Sequence, residues 1–306
     1  MKRYVLQRLL AAAITIWLMS MIVFVGVRFV GDPVHLLLPP EATEQDRAVL
    51  RDELGLAKPL PQQYLSYVVH LMHGDIGRSF VTGQPAFEVL RARLAPSAIL
   101  AGAALVLSLL TGVPGGIAAA LHPYAVMTRV AQIVASLGLA IPSFLIALLL
   151  IRWLSVDAGL LPTSGYGTWR HLVIPAISLS LYMGGALFRL TQSAMSDVLR
   201  TEFIRFARIK GISRHAVIYR HALKSCALII LTFSASQFGM LLTGAVSVEV
   251  IFGWPGIGGV MVDAISQFDY TVIQAAALMV LGLFVLLNLL LDLAYGWLDP
   301  RIRLAH

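Results

Sequence analysis

Charged residues are so scarce inside the apolar runs of this sequence that the few present are the first candidates for chemistry. Arg189 and Asp292 each fall a turn or two inside the membrane boundary, Arg189 within an apolar run of spanning length and Asp292 directly after one. Inserting either charge alone costs about 2.5–3.5 kcal/mol on insertion scales. Two readings follow: the two charges neutralise each other, or they line an aqueous mouth. Asn288 sits one helical turn before Asp292. Gln237, with Ser234 and Ser236, gives another run a polar patch. A water-filled path and an interhelical hydrogen bond account for that patch equally well. Glu249 closes the same run, either as a gate or binding contact or as an interfacial carboxylate tied to the turn that follows.

Enzyme chemistry finds less support. His70 and His73 are three apart and near Asp75, which permits a metal site, yet the same stretch reads as an amphipathic surface helix. GWPGIGG (253–259) is glycine-rich but lacks the lysine of a phosphate cradle, so it reads as a tight turn. The sequence holds no G-x-x-x-x-G-K-[ST], no H-E-x-x-H and no G-x-S-x-G. The expectation is a chain that is not an enzyme, hydrolyses no ATP and holds no cofactor of its own. Cys226 is the one cysteine, so no intrachain disulfide forms.

The elements that must position these residues are membrane helices. Of 306 residues, 58% are hydrophobic and only 13% charged, and the mean hydropathy is +0.82. Soluble domains keep about a quarter of their residues charged. The formal net charge of +7 does not indicate nucleic acid, because much of the excess sits in short segments beside apolar runs. Six uncharged stretches reach spanning length: 9–27, 97–121, 130–151, 172–195 (interrupted by Arg189), 225–248 and 270–291. The first follows Lys2, Arg3 and Arg8 and lacks a small-x-small cleavage site, so it reads as a retained helix and not a signal peptide. Six spans put both termini on one side, and Arg301 and Arg303 with the N-terminal cations place that side in the cytoplasm. Residues 31–94 then form an extracytoplasmic excursion broken by prolines. Within it, Tyr64, Tyr67, Val68 and Leu71 recur at helical spacing along 62–74. Pro142 falls inside the third span, where neighbouring helices or waters must satisfy the freed carbonyl.

One cytoplasmic segment stands apart. SDVLRTEFIRFARIKGISRHAVIYRHALK (196–224) carries seven Lys/Arg against two acids, with Phe203, Phe206 and Ile209 among the charges. Leu199, Phe203 and Phe206 share one helical stripe, and Arg205 and Arg208 another face. Gly211 ends that helix, since a left-handed cap costs glycine little. Ser213 caps a second helix from about Arg214, whose Ala216, Tyr219, Leu223 and Ala227 carry the apolar stripe onward. Contact with anionic lipid headgroups accounts for the charge. It does not account for a glycine-hinged helix pair with aromatics that favour burial.

EFIRFARIKGIS…RHALK resembles the EAA loop of ATP-binding cassette importer permeases of the dipeptide/oligopeptide/nickel family. SVEVIFGWPGIGGVMVDAISQFDYTVIQ (247–274) resembles a second signature of that family. GDP (31–33), LGLAKPLPQQY (54–64), GDIGRS (74–79) and LDPR (298–301) are similar to its other segments. By that likeness Glu202, Ala207 and Gly211 occupy the EAA-loop positions. The loop would then be a coupling helix docking on a separate ATPase, with Phe203, Phe206 and Lys210 beside those positions. Relatives often carry a proline soon after the RHAL element where this chain has KSCALII, which implies a different start to the fifth span.

The resemblance implies an all-α membrane protein of six transmembrane helices. An extracytoplasmic subdomain lies between helices 1 and 2, and a cytoplasmic coupling helix between helices 4 and 5. Its parts are an N-terminal helix (1–30), the excursion (31–94) and a permease core (95–306) containing the coupling loop (196–224). It also implies a bacterial inner-membrane location, a second homologous permease, two ATP-binding subunits that hold ATP and Mg, an extracytoplasmic substrate-binding protein, and surrounding lipid. The implied cargo is short peptides, dipeptides or oligopeptides, with nickel or a small solute such as glutathione as the alternative. A secondary transporter acting alone is the rival of a different class. It predicts inverted repeats and charges at the bilayer midplane, whereas the charges here lie near the ends of the runs.

Overall fold

A computed structural model describes the backbone of residues 2–30, 34, 38–39 and 41–298, with side chains for 6–29, 34, 38–39, 41–242 and 245–290. Among the described residues the chain is helix and turn, with an isolated antiparallel bridge between Arg78 and Pro85. Five helices have the length and apolarity to cross a membrane: Leu6–Phe29, Ala86–Leu121, Trp169–Leu199, Arg214–Leu242 and Tyr270–Leu290. Two bent pairs raise the number to as many as seven.

The chain forms two compact units, Met1–Ala95 with Pro255–His306, and Pro96–Trp254. In the first, α1 (Lys2–Val30) exposes Leu10, Ile14, Trp17 and Ile22, as a helix apolar on all sides does in lipid. Helix α2 (Glu44–Glu53) opens on a capping box, in which Thr43 and Asp46 satisfy each other's backbone N–H. The amphipathic stretch forms α3 (Leu60–Met72). It lies on α1 because Ser20, Phe24 and Arg28 recur every four residues and present one face. Ser20 Oγ is 2.9 Å from Tyr64 Oη, and the Phe24 ring meets Tyr64 edge-on at 5.1 Å. Ala86 and Leu90, from the start of α4 (Ala86–Leu121), complete the core of this unit with α12 (Ile257–Ser266) and α13 (Tyr270–Leu298). Asp269 caps α13, its carboxylate accepting from Val272 N and from the Ser79 hydroxyl.

In the second unit the hub is α7 (Trp169–Leu199), whose small residues admit its neighbours to backbone contact. A Cβ on Gly112 or Gly116 of α4 would stand 2.6 Å from Gly184 O or Phe188 O. One on Gly138 of α5 (Val126–Ala140) would stand 2.6 Å from Leu181 O. The expected third span, 130–151, is not one straight helix. It breaks at Ile141–Pro142, and α6 (Ser143–Leu150), continued by π-helical turns through Ile151–Asp157, leaves α5 at 109°. The reason is local: Ile141, preceding proline, adopts extended backbone at φ −89°, ψ 125°. The expected fifth span, 225–248, also ends early. Helix α10 (Leu223–Gly244) gives way to α11 (Val246–Phe252), and Gly253 ends α11 in the left-handed region at φ +57°.

Candidate functional site

The segment 196–224 folds as a hinged helix pair. Helix α7 ends at Leu199 and Thr201 is extended (φ −69°, ψ 150°), so α8 (Glu202–Ile209) starts afresh. Leu199 therefore does not share a helical stripe with Phe203 and Phe206, as the sequence pattern suggested. It belongs to α7 and packs on the core. Helix α8 closes in a Schellman turn: Ile212 N donates to Ala207 O at 3.3 Å and Gly211 N to Arg208 O at 3.0 Å, with Gly211 at φ +76°. Ser213 Oγ then accepts from Ala216 N at 3.4 Å, capping α9 (Arg214–Ala216). This helix continues through π-helical turns over Val217–Ala222 into α10.

The two faces of α8 differ in kind. Ile204 and Ala207 are buried in a cluster with Met183, Leu187, Val217 and Ala222. Phe203, Phe206 and Ile209 are 55%, 60% and 72% exposed. Glu202 and Lys210 are exposed with them, Glu202 holding Arg205 in a surface ion pair at 3.5 Å. The arrangement is a short helix fixed from inside and bare outside, carrying aromatics where a solvated loop has no use for them. Of the six residues expected there from the sequence, Glu202, Phe203, Phe206 and Ala207 lie on α8, with Ala207 facing inward, and Lys210 and Gly211 form the turn that closes it.

The residues expected to line a path lie on several helices of the two units. Gln237 of α10 borders a cavity of about 370 Å³ at the α5–α6 break, together with Tyr182, Ser143, Met183 and Met240. Tyr182 and the break itself escaped the sequence reading, although the residue before Pro142 carried the signal. Ser234 is turned to its own helix, donating to Ile230 O at 2.7 Å. Glu249 lies on α11, is 1% exposed, and accepts from Ser97 Oγ at 2.6 Å. Its carbonyl takes the N–H of Trp254 at 2.8 Å, the tie to the following turn. Arg189 donates through Nη2 to Ser136 Oγ at 2.6 Å. The Asp292 side chain, its suggested partner, lies outside the described residues. Asn288 donates to Phe284 O in its own helix at 2.9 Å. His70 and His73 each place Nδ1 on the carbonyl four residues back, Ser66 O and Val69 O, at 2.7 and 2.8 Å.

Comparison with known proteins adds the following. Residues 112–304 match the family described as binding-protein-dependent transport system inner membrane component, and residues 1–101 match its N-terminal part. The chain is 37% identical over 304 residues to the glutathione transport system permease protein GsiC of Salmonella choleraesuis (strain SC-B67), covering 99% of both. It is 35% identical over 304 residues, again 99% of both, to GsiC of Escherichia coli (strain K12). The fold is similar to that of a chain in an inward-facing structure of the MetNI methionine ABC transporter. The TM-score is 0.60 and the identity 14%, covering 70% of this chain and 98% of that one.

Proposed function

Because the chain belongs to the family of binding-protein-dependent transport system inner membrane components, we propose that this ABC importer permease subunit carries short peptides of glutathione size. The single observation that carries the coupling part of the reading is the two-faced α8. Ile204 and Ala207 root it in the core, and Phe203, Phe206 and Ile209 present a bare apolar face. A stiff helix held this way passes on a push as a rigid body. In this reading the face sits in the cytoplasm against an ATP-binding subunit, which supplies the ATP and Mg. Both termini lie on that side, residues 31–94 lie outside near a binding protein, and a second permease completes the path.

The substrate class rests on two supports. The full-length relatives are named as glutathione permeases, and glutathione is itself a tripeptide, so it and short peptides form one class. The cavity at the α5–α6 break offers the Gln237 amide and the hydroxyls of Tyr182 and Ser143. Those groups suit peptide N–H and C=O. The residues lining it include no carboxylate, imidazole or thiol, the ligands a nickel ion favours, so nickel is the weaker reading. Broken helices also serve secondary transporters; the family membership weighs against a transporter acting alone.

The test is reconstitution of the assembled transporter with its binding protein in proteoliposomes, measuring ATP-dependent uptake of labelled glutathione, trialanine and nickel. Uptake of either peptide supports the reading. Uptake of nickel alone, or uptake without ATP, overturns it.

A further inference from the structure

The first unit contains a cavity of about 540 Å³ whose polar lining the transport reading leaves without a task. Its anchor is Arg28. Nε and Nη2 donate to Gln63 Oε1 at 3.0 and 2.8 Å, and Nη1 donates to Phe24 O at 2.8 Å. The guanidinium carbon lies 3.4 Å from the centre of the Phe24 ring. Gln63 is itself fixed, its Nε2 donating to Leu56 O and Lys58 O at 3.1 and 2.7 Å. The side chain is thus held between its own helix and α3 and does not reach freely toward water.

A guanidinium carries five N–H groups. Gln63 takes the edge formed by Nε and Nη2, and Phe24 O takes one N–H of Nη1 facing back to its own helix. One N–H of Nη1 and one of Nη2 remain. Each is a charged donor, and a carboxylate is the acceptor such donors bind most strongly. Among the described residues no carboxylate forms an ion pair with Arg28.

A second group has the same need. Tyr67 lines the cavity and packs 5.6 Å from the Phe24 ring, and its hydroxyl is buried with no hydrogen-bond partner among the described residues. Burial pushes its phenol up to about 12, so it remains a neutral O–H donor at ordinary pH. Among the described residues this half-buried cation has no counter-ion and the buried hydroxyl no acceptor, and each lack is unfavourable. One anion satisfies both. Glu53 and Asp75 line the same cavity and supply negative charge for the other end of a zwitterion.

We propose that this cavity binds the free carboxylate of a small zwitterionic solute, a short peptide being the class it fits, with Arg28 and Tyr67 as the donors. The identity of that solute with the transported one rests on the function proposed above; the carboxylate site does not.

The test uses the assembled transporter without its binding protein, in phosphatidylcholine nanodiscs, with calorimetric titration of trialanine, glutathione and C-terminally amidated trialanine. Trialanine is expected to bind and its amide not to. Tyr67→Phe is the decisive variant. Its hydroxyl has no partner among the described residues to lose, so the melting temperature should hold while trialanine affinity falls about tenfold, the worth of one hydrogen bond to a charged group. Arg28→Lys should weaken binding as well, because an ammonium lacks the paired donors. Equal binding of acid and amide, or unchanged affinity in Tyr67→Phe, overturns the proposal. So does competition by phosphatidylethanolamine added to the nanodiscs, which would make this a lipid headgroup site. Peptide uptake with no binding here removes the site and leaves the importer reading intact. Binding here with no peptide uptake removes the substrate reading and leaves the site.

Discussion

The hydroxyl of Ser97 donates to Oε1 of Glu249 at 2.6 Å, joining two residues that are 2% and 1% exposed. The same place is tied twice more, by Trp254 Nε1 donating to Pro96 O at 3.0 Å and by Trp254 N donating to Glu249 O at 2.8 Å. Glu249 thus fastens α11 to the segment of α4 that begins at Pro96. Its burial and these ties fit a structural anchor better than a gating carboxylate facing the path.

Ser97→Ala takes a donor from a buried carboxylate and leaves a small void. The expected cost is about 1–3 kcal/mol, read as a lower melting temperature of the purified transporter. Glu249→Gln keeps an acceptor for the Ser97 hydroxyl and should cost less. If Glu249→Gln left the melting temperature unchanged but stopped transport, the carboxylate would be a gate and not an anchor.

The close packing of α7 gives a second prediction. A Cβ on Gly185 would stand 2.5 Å from Ala135 O, and backbone cannot turn aside as a side chain can. Gly185→Ala must part α5 from α7, at a cost of about 1–3 kcal/mol or more. Gly102→Ala, where nothing lies within 4 Å, is the control and should melt as the parent does. Equal melting temperatures for the two variants would remove the close-packing account.

Gly211 differs, because a Cβ there also meets nothing within 4 Å. Its constraint is backbone alone, φ +76°. Left-handed backbone costs an L-residue about 1–2 kcal/mol, and asparagine tolerates it better than most. Gly211→Val should therefore insert in the membrane yet lose substrate-stimulated ATPase activity in the assembled transporter, while Gly211→Asn keeps much of it. Normal stimulation in Gly211→Val would count against coupling through this turn.

What was legible in the sequence follows the range of each interaction. The hinge at Gly211 and the cap at Ser213 were readable because a turn and a cap are decided within a few residues. The amphipathic run at 62–74 was readable for the same reason. Joining Leu199 to the Phe203–Phe206 stripe failed because periodicity does not register the extended backbone at Thr201, which starts a new helix. The right-angled break at Ile141–Pro142 carried a local signal, a pre-proline residue, but a proline inside an apolar run reads equally as a kink. Arg28 with Gln63 and Ser97 with Glu249 carried none. Their members are 35 and 152 residues apart, and only the packed helices bring them together.

The exposed face of α8 gives the last prediction, and it separates docking from folding. Phe203 and Phe206 are more than half exposed, so replacing both with alanine should change the stability of the isolated permease by no more than about 0.5 kcal/mol, as surface substitutions do, and leave its melting temperature close to the parent's. Buried against a partner, two aromatics are worth about 2 kcal/mol or more each. Recovery of the ATP-binding subunits with this chain should therefore fall by more than about tenfold. Ile204→Ala makes the opposite change, emptying a fully buried site on the inward face of the same helix. It should cost about 2–5 kcal/mol and lower the melting temperature of the permease by itself. A Phe203→Ala/Phe206→Ala variant that keeps its ATPase subunits would show that the bare face docks nothing. If instead it melted like Ile204→Ala, the face would be part of the core and the two-sided description of α8 would be wrong.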